Sequence, residues 1–459
     1  MNGEILWVLT NDTEFTAGWG KNPQDRTDHL LFPDSAYAQL VIRNRGLAAV
    51  VEPFGVRETI MVAWGCYRSL EAAAGGPGPR PEAWGAVLAD GLALLAGLLA
   101  RGHRLCPHPH HEKDLGTANP DYRYDPQTGA LERWRRWESG YYRYGGSFAR
   151  ALPDLGTYEN RETRLGYLSD GREWLAEKLG AWGIAARTGG WDFGYTSEDK
   201  LLSEQAFRGN GLLLNLDADL NLSMWRGEPS PSKPWSEGIY LTRLGDINAP
   251  APDGREWGLV ELAHCSALPR DGSWYDLNNR SLEDLNRQMD LAFAAFCDEG
   301  VVRPGVHVIT AMCHSAGFTG VPWDGAAGGE FDKLQAHLEY LERKYFRTGL
   351  MRPATAEEAA ARFLDQASDR VCAWPKTAVR EGGGWRVDLT VAGAPDLAEP
   401  QVVEVLPPLH TVRPGGVGEV RLRSGEQSVR CHAEGTPPWG IAFTVTPANR
   451  PGPWSVWYA

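Results

Sequence analysis

The chain has no CxxC pair, no excess of basic residues and no basic leader at its start. Seven cysteines stand at 66, 106, 265, 297, 313, 372 and 431, an odd and scattered set that reads as reduced thiols, not a disulfide framework. Lys and Arg number 46 against 59 Asp and Glu, a net charge of −13, so no basic face for nucleic acid is expected. The opening residues, Met1 to Thr10, hold no small-residue cleavage site and enter a strand almost at once. No later run is expected to reach the uninterrupted apolar length of a membrane helix. Internal repeats of fixed period and low-complexity tails are also lacking. These absences predict a soluble, cytoplasmic globular protein with no membrane span and no nucleic-acid partner. They leave the oligomeric state open.

What is present is a core-forming composition, 42% hydrophobic, in 459 residues, more than one ordinary domain. Nineteen tryptophans suit either sugar platforms or core filling. The densest chemistry lies between Gly102 and Glu112, where His103, His108, His110 and His111 are four of the chain's eleven histidines. An Ala- and Leu-rich run, Pro81 to Arg101, predicts a helix closing at Gly102, and Leu105 with Cys106 predicts a short strand. The histidines fall where that strand ends. Alternate residues of an extended segment face one way, so His108 and His110 can aim two imidazoles at one ion.

Elsewhere the pattern alternates. Ile5 to Thr10 reads as a buried strand, followed by Asn11, Asp12, Thr13 and Glu14. Helices are expected over Ser35 to Arg45, Arg164 to Trp182, Ser197 to Phe207, Ser281 to Asp298, Glu330 to Tyr345 and Ala354 to Asp369. Strands are expected at Phe54 to Val62, before Arg187, at Leu212 to Leu216, at Leu259 to Ala263 and at Val306 to His314. Ala249 to Gly254 reads as a loop. Such alternation means parallel strands with helices packed outside. The aromatic stretch 113–155 reads as a functional insertion over the rim of the site. Beyond about residue 370, short alternating runs separated by Gly and Pro predict a small antiparallel, sandwich-like β domain. The expected division is therefore 1–368 and 369–459. Asp12 with Glu14, His108 with His110, Arg187 and His314 all sit at strand ends, and the strands carrying them are expected in one sheet.

In this order the motifs resemble the polysaccharide deacetylase superfamily, carbohydrate esterases built on a distorted (β/α) barrel. The resemblance covers roughly residues 3 to 365. It rests on Thr10-Asn-Asp12-Thr-Glu14, on Gly102 through His108 and His110, on Arg187-Thr-Gly189-Gly190-Trp191, on Asp217-Ala-Asp219, and on Met312-Cys313-His314. Thr13 stands where the family usually has a second Asp, so Glu14 must serve as the carboxylate ligand. The usual second motif would pair His108 with Glu112. Divergent branches carry His-x-His, and His108 with His110 is preferred, with His111 and Glu112 still in play.

The resemblance implies a divalent metal, zinc first, on Glu14, His108 and His110. It implies Asp12 as general base, Arg187 orienting it, and His314 as the acid for the leaving amine, tuned by Asp217 or Asp219. The implied activity is removal of N-acyl groups from an amino-sugar polysaccharide or sugar intermediate. Another hydrolase on the same barrel, cutting a glycosidic bond or a small cytosolic amide, and a non-catalytic glycan-binding relative are the alternatives.

Overall fold

The structure is a computed structural model. It describes residues 3–15, 30–77, 79–110, 122–133, 148–149, 151–189, 192–194, 196–217, 238–252, 254, 256–264, 275–278, 280–318, 329–381, 384–405, 420–424, 427–431, 441–448 and 454–458. The strands that position the site are, in chain order, β1 (Glu4–Thr13), β2 (Thr59–Val62), β3 (Arg104–Pro107), β4 (Ala185–Ala186), β5 (Leu214–Asn215), β6 (Ile239–Arg243), β7 (Asp246–Pro250), β8 (Val260–Leu262), β9 (Val306–His314) and β10 (Arg352–Ala354). The helices around them are α1 (Arg43–Val51), α2 (Trp64–Gly75), α3 (Pro81–Ala100), α4 (Arg164–Leu179), α5 (Ser197–Gly209), α6 (Leu282–Ala295), α7 (Glu330–Leu341) and α8 (Ala356–Ala367).

β1 is buried from Ile5 onward, the mark of a parallel strand covered on both faces. It runs parallel to β9 from Glu4↔Val306 to Asp12↔His314, which sets Asp12 beside His314. On its other edge it meets β10 over Leu6 to Val8 and then β2 over Thr10 to Thr13. β2 in turn pairs in parallel with β3. The helix ends follow local chemistry. Thr196 with Asp199 and Thr355 with Glu358 form capping boxes on α5 and α8, and α4 stops at Gly180, whose φ of 63° is left-handed.

One expectation fails here. The strand before Arg187 lies in a second sheet, ordered β7-β6-β8-β5-β4, and not beside β3 in the first. The cause is visible in β3. Its Arg104 and His108 amides donate to Glu58 and Val62, so the alternate residues Leu105 and Pro107 face the outer edge. Pro107 has no N–H to offer there, and the ladder cannot continue. The backbones nevertheless come close, since a Cβ on Gly183 would lie 2.3 Å from the Leu105 carbonyl oxygen. On the far side, single parallel bridges join His264 to Thr310 and Asp276 to Met312. The α/β part is therefore helices around two abutting sheets, the first parallel and the second mixed, where β4, β5 and β8 pair in parallel and β6 pairs antiparallel with β8 and β7.

Several elements depart from the sequence reading. The segment expected as a loop at Ala249 to Gly254 begins inside a hairpin, β6–β7, turned at Gly245 with φ 72°. α2 was not expected, and it starts without a side-chain cap. The expectation about apolar runs also needs correcting, because α3 is long and apolar enough to cross a membrane by length and composition alone. Its Trp84, Val87, Leu95 and Leu98 pack into the largest core cluster, which is what a core helix does. Of the insertion, strands Tyr122–Asp125 and Ala130–Arg133 form a hairpin against Leu30–Leu31. Trp84 of α3 donates its indole N–H to the Gly129 carbonyl at 3.0 Å, fixing that hairpin to the helix layer. Residues 111–121 and 134–147 of the insertion lie outside the described residues.

From Cys372 onward the pairings among the described residues are antiparallel. Cys372–Glu381, Gly384–Ala392, Trp454–Tyr458, Val420–Ser424 and Gln427–Cys431 form one sheet, and Gln401–Val405 with Ile441–Val445 forms another. Val387, Leu389, Val403, Val405, Phe443, Val445 and Trp454 share a core with Ala176 and Trp182 of the α/β part.

Candidate metal centre

Glu14, His108 and His110 come together just past the ends of β1 and β3. Their ligand-type atoms all lie within 4.8 Å of one another, and all three residues are buried. Thr10, Asp12 and Glu14 alternate along one extended run and so share a face. Glu14 Oε2 lies 3.2 Å from His110 Nε2 and 3.7 Å from His108 Nε2. The other nitrogen of His108, Nδ1, is 2.7 Å from the Arg187 carbonyl oxygen, so Nδ1 donates there and Nε2 is left for the centre. The Tyr167 hydroxyl donates to the His110 carbonyl at 3.0 Å, and the Gly189 amide donates to the Pro109 carbonyl at 2.8 Å. Those contacts tie the histidine loop to α4 and to the second sheet.

Arg187, 1% exposed, reaches across the seam. Its guanidinium donates to Asp12 Oδ1 at 2.7 Å and to Thr10 Oγ1 at 2.7 Å, and Thr10 Oγ1 donates onward to the Ala311 carbonyl at 3.1 Å. That leaves Asp12 Oδ2 on the open side, 3.8 Å from His314 Nε2. His314 Nε2 also stands 3.6 Å from Glu14 Oε1, and its side chain is the most open of the group at 14% exposure. The Asn278 side-chain oxygen accepts from the His314 amide at 2.7 Å.

The electrostatics follow from these distances. Burial works to raise the Glu14 carboxyl, but His110, His108 and His314 outweigh it and hold Glu14 well below the usual range. Burial works to lower His108, yet Asp12 and Glu14 outweigh it and push the imidazole up to about 9. At Asp217 burial wins over the positive charges of Arg187 and His108. Burial pushes its carboxyl up to about 7, against hydrogen bonds to Oδ1 from the Thr188 amide at 2.9 Å and hydroxyl at 2.8 Å.

The donor set fits a divalent cation. Two imidazoles and a carboxylate are the ligands zinc takes, and a histidine fixed through its second nitrogen is the usual support for one. Other residues of the motif cluster fall elsewhere. His103 is fully buried between Glu52 and Glu58, at 3.0 and 3.4 Å. Asp219, Gly190, Trp191, His111 and Glu112 lie outside the described residues. Thr10, Tyr167, Thr188 and Asn278 were not anticipated. Thr10 alone carried a signal, since it precedes Asp12 by two and must share its face.

No family model matches the chain, and no curated protein matches it. Among solved structures, a protein of Mycobacterium smegmatis described as a polysaccharide deacetylase overlaps it with a TM-score of 0.40 at 13% identity, covering 78% of this chain and 90% of that one. A second, from Pseudomonas aeruginosa and described in the same terms, gives a TM-score of 0.40 at 12% identity over 79% of this chain and 91% of its own. An allantoinase gives 0.38 at 12% identity over 78% and 89%. Overlaps this loose assign no activity. These proteins are what this chain is similar to, and they assign it no family either.

Proposed function

We propose that the chain is a metal-dependent hydrolase that removes N-acetyl or related N-acyl groups from an amino-sugar-containing polysaccharide or a sugar intermediate. The observation that carries this reading is the buried Glu14–His108–His110 set adjoining the Arg187–Asp12 pair. The two sheets are taken as a distorted (β/α) barrel whose rim holds these groups. A divalent ion there, zinc first, would polarise the scissile carbonyl and make a bound water acidic enough to attack at neutral pH.

Asp12 Oδ1 is engaged by Arg187, so Oδ2 is the atom that accepts the attacking water's proton. Arg187 aims Asp12 through that charged hydrogen bond, and Thr10 fixes the other arm of the guanidinium. His314 Nε2, on the open side, hands a proton to the leaving nitrogen. Asp217 is engaged with Thr188 beneath the site, which suits a supporting role better than contact with substrate.

The division into a catalytic unit, 1–368, and a β-sandwich-like unit, 369–459, is part of the proposal. So is a reducing, cytoplasmic setting, which is supported by Cys66, Cys106, Cys297, Cys313 and Cys372 standing as free thiols. A glycosidase on the same scaffold would need an acid carboxyl facing substrate. Asp217 has the raised proton affinity for that role but is fully buried, which weighs against it.

The test is metal analysis of the purified protein beside a screen for acetate released from N-acetylated amino-sugar oligomers. A bound divalent metal and released acetate are expected. Metal without acetate release from any such substrate would favour another hydrolase or a glycan-binding relative, and no metal at all would remove the proposal.

A further inference from the structure

We infer that the cleft between the α/β part and the C-terminal sheets is a second binding site, one that takes a small oxyanion through Arg370, Arg208 and Trp257. The cleft has a volume of about 370 Å³ and runs from the end of α5 past Trp257 to Trp374 and Gln401. That is the size of a small-ligand site. It shares no residue with the metal centre.

The walls hold a donor whose partner is missing. The Arg370 guanidinium lies 3.9 Å from the centre of the Trp257 ring, which holds its planar fork in place. It donates to the Trp257 carbonyl at 3.2 Å, and among the described residues it has no carboxylate partner. Its Nε is buried with no hydrogen-bond acceptor. Trp257 is 1% exposed, so its part in the site is the ring on which Arg370 stacks and not its buried indole N–H. Arg208 adds a second positive charge near enough to act on Arg370, and its own nearest carboxylate oxygen, on Glu204, is 3.6 Å away. Gln401 is engaged at both ends, its side-chain oxygen accepting from the Val371 amide at 2.8 Å and its nitrogen donating to the Asp369 carbonyl at 3.0 Å.

Guanidinium groups donate and cannot accept, so a ligand held by the terminal nitrogens of these two arginines must be rich in acceptors. Arg370 is part-buried with no carboxylate of its own among the described residues, while Arg208, paired with Glu204, still acts against its charge, and a negative ligand relieves that cost. A carboxylate, sulfate or phosphate group meets both demands, and arginine is the residue type that grips each of them in two-point fashion.

Calorimetric titration of the full chain with inorganic phosphate, sulfate and D-glucuronate in separate arms tests this, with glucose as the uncharged control. Saturable binding of at least one anion and none of glucose is expected. The glucuronate arm distinguishes a sugar acid from an inorganic or phosphorylated ligand. Arg370→Gln should weaken binding at least tenfold, and Arg208→Gln, at a side chain 48% exposed, should weaken it less while leaving the thermal melt unchanged. His108→Ala should keep the binding, which separates this cleft from anions drawn to the metal centre. Absence of saturable binding in every arm overturns the inference, as does wild-type affinity in Arg370→Gln and Arg208→Gln, or loss of binding in His108→Ala. Should Arg370→Gln fail to fold, Arg208→Gln decides.

Discussion

Asp12 and Glu14 stand two residues apart on one strand end, yet they answer to different partners. Both lie near His314, but Arg187 bonds Asp12, whereas Glu14 lies beside His108 and His110. Substitutions should therefore separate holding the metal from using it. His108→Ala and His110→Ala are expected to lose metal and hydrolysis together. Asp12→Asn keeps shape and should retain near-normal metal while activity falls by roughly two to four orders of magnitude, the contribution of a general base. Metal analysis and acetate release on the same preparations check this. An empty site in Asp12→Asn with a filled one in Glu14→Gln would exchange the two roles. Asp217 gives a second prediction. Its carboxyl is pushed up to about 7 by burial, while the unfolded chain releases that proton near pH 4. The folded state binds the extra proton between those values, so its stability falls as pH rises through about 4 to 7. Asp217→Asn carries no such charge and still accepts from Thr188. In urea titrations it should match wild type near pH 4 and exceed it at pH 8. A difference that does not change with pH would show that Asp217 is ionised throughout.

Among the elements, the seam between β3 and β4 decides how Arg187 reaches Asp12. The two backbones approach there without a ladder, and Gly183 is what permits it, since a Cβ would meet the Leu105 oxygen at 2.3 Å and Cys106 Sγ at 2.6 Å. Gly183→Ala must push these strands apart, at an expected cost of about 1–3 kcal/mol in chemical denaturation, with hydrolysis falling more than stability alone predicts. An unchanged midpoint would mean the seam is loose. The same seam marks where the sequence stopped being legible. β1 and β9 could be read because they are nine or ten residues of mostly apolar sequence buried on both faces. β4 and β5 are two residues each, too short for any period, and their sheet membership is set by Pro107 on a neighbouring strand. Asn278 reaches His314 from a segment held only by single bridges, which leaves no pattern at all. Asp12, Glu14, His108, His110, Arg187 and His314 could be picked out because polar groups collect where apolar runs stop. Tyr167 and Thr188 act through backbone and second-layer contacts that the fold alone creates.

For the whole molecule, the question is whether the C-terminal sheets are an appendage or a structural partner of the α/β part. Trp182 settles what to expect. It follows α4, is 4% exposed, and shares a core cluster with Val387, Leu389, Val403 and Phe443 from both C-terminal sheets. Arg104, at the start of β3, points the same way, donating to the Lys376 carbonyl at 2.6 Å and pairing with Glu357 of α8. A fragment ending at residue 368 would bare the Trp182 ring and leave the Arg104–Lys376 bond unmade, with only the Arg104–Glu357 pair kept. Trp182→Ala in the full chain removes the shared packing without cutting the chain, and large-to-small changes of this kind cost about 3–5 kcal/mol. Calorimetry should then show one cooperative transition in wild type and two in Trp182→Ala, the C-terminal unit melting first. A single transition retained in the variant would mean the junction is held mainly elsewhere. Two transitions already present in wild type would make the C-terminal unit an independent domain, and removing it would leave the metal centre as it is.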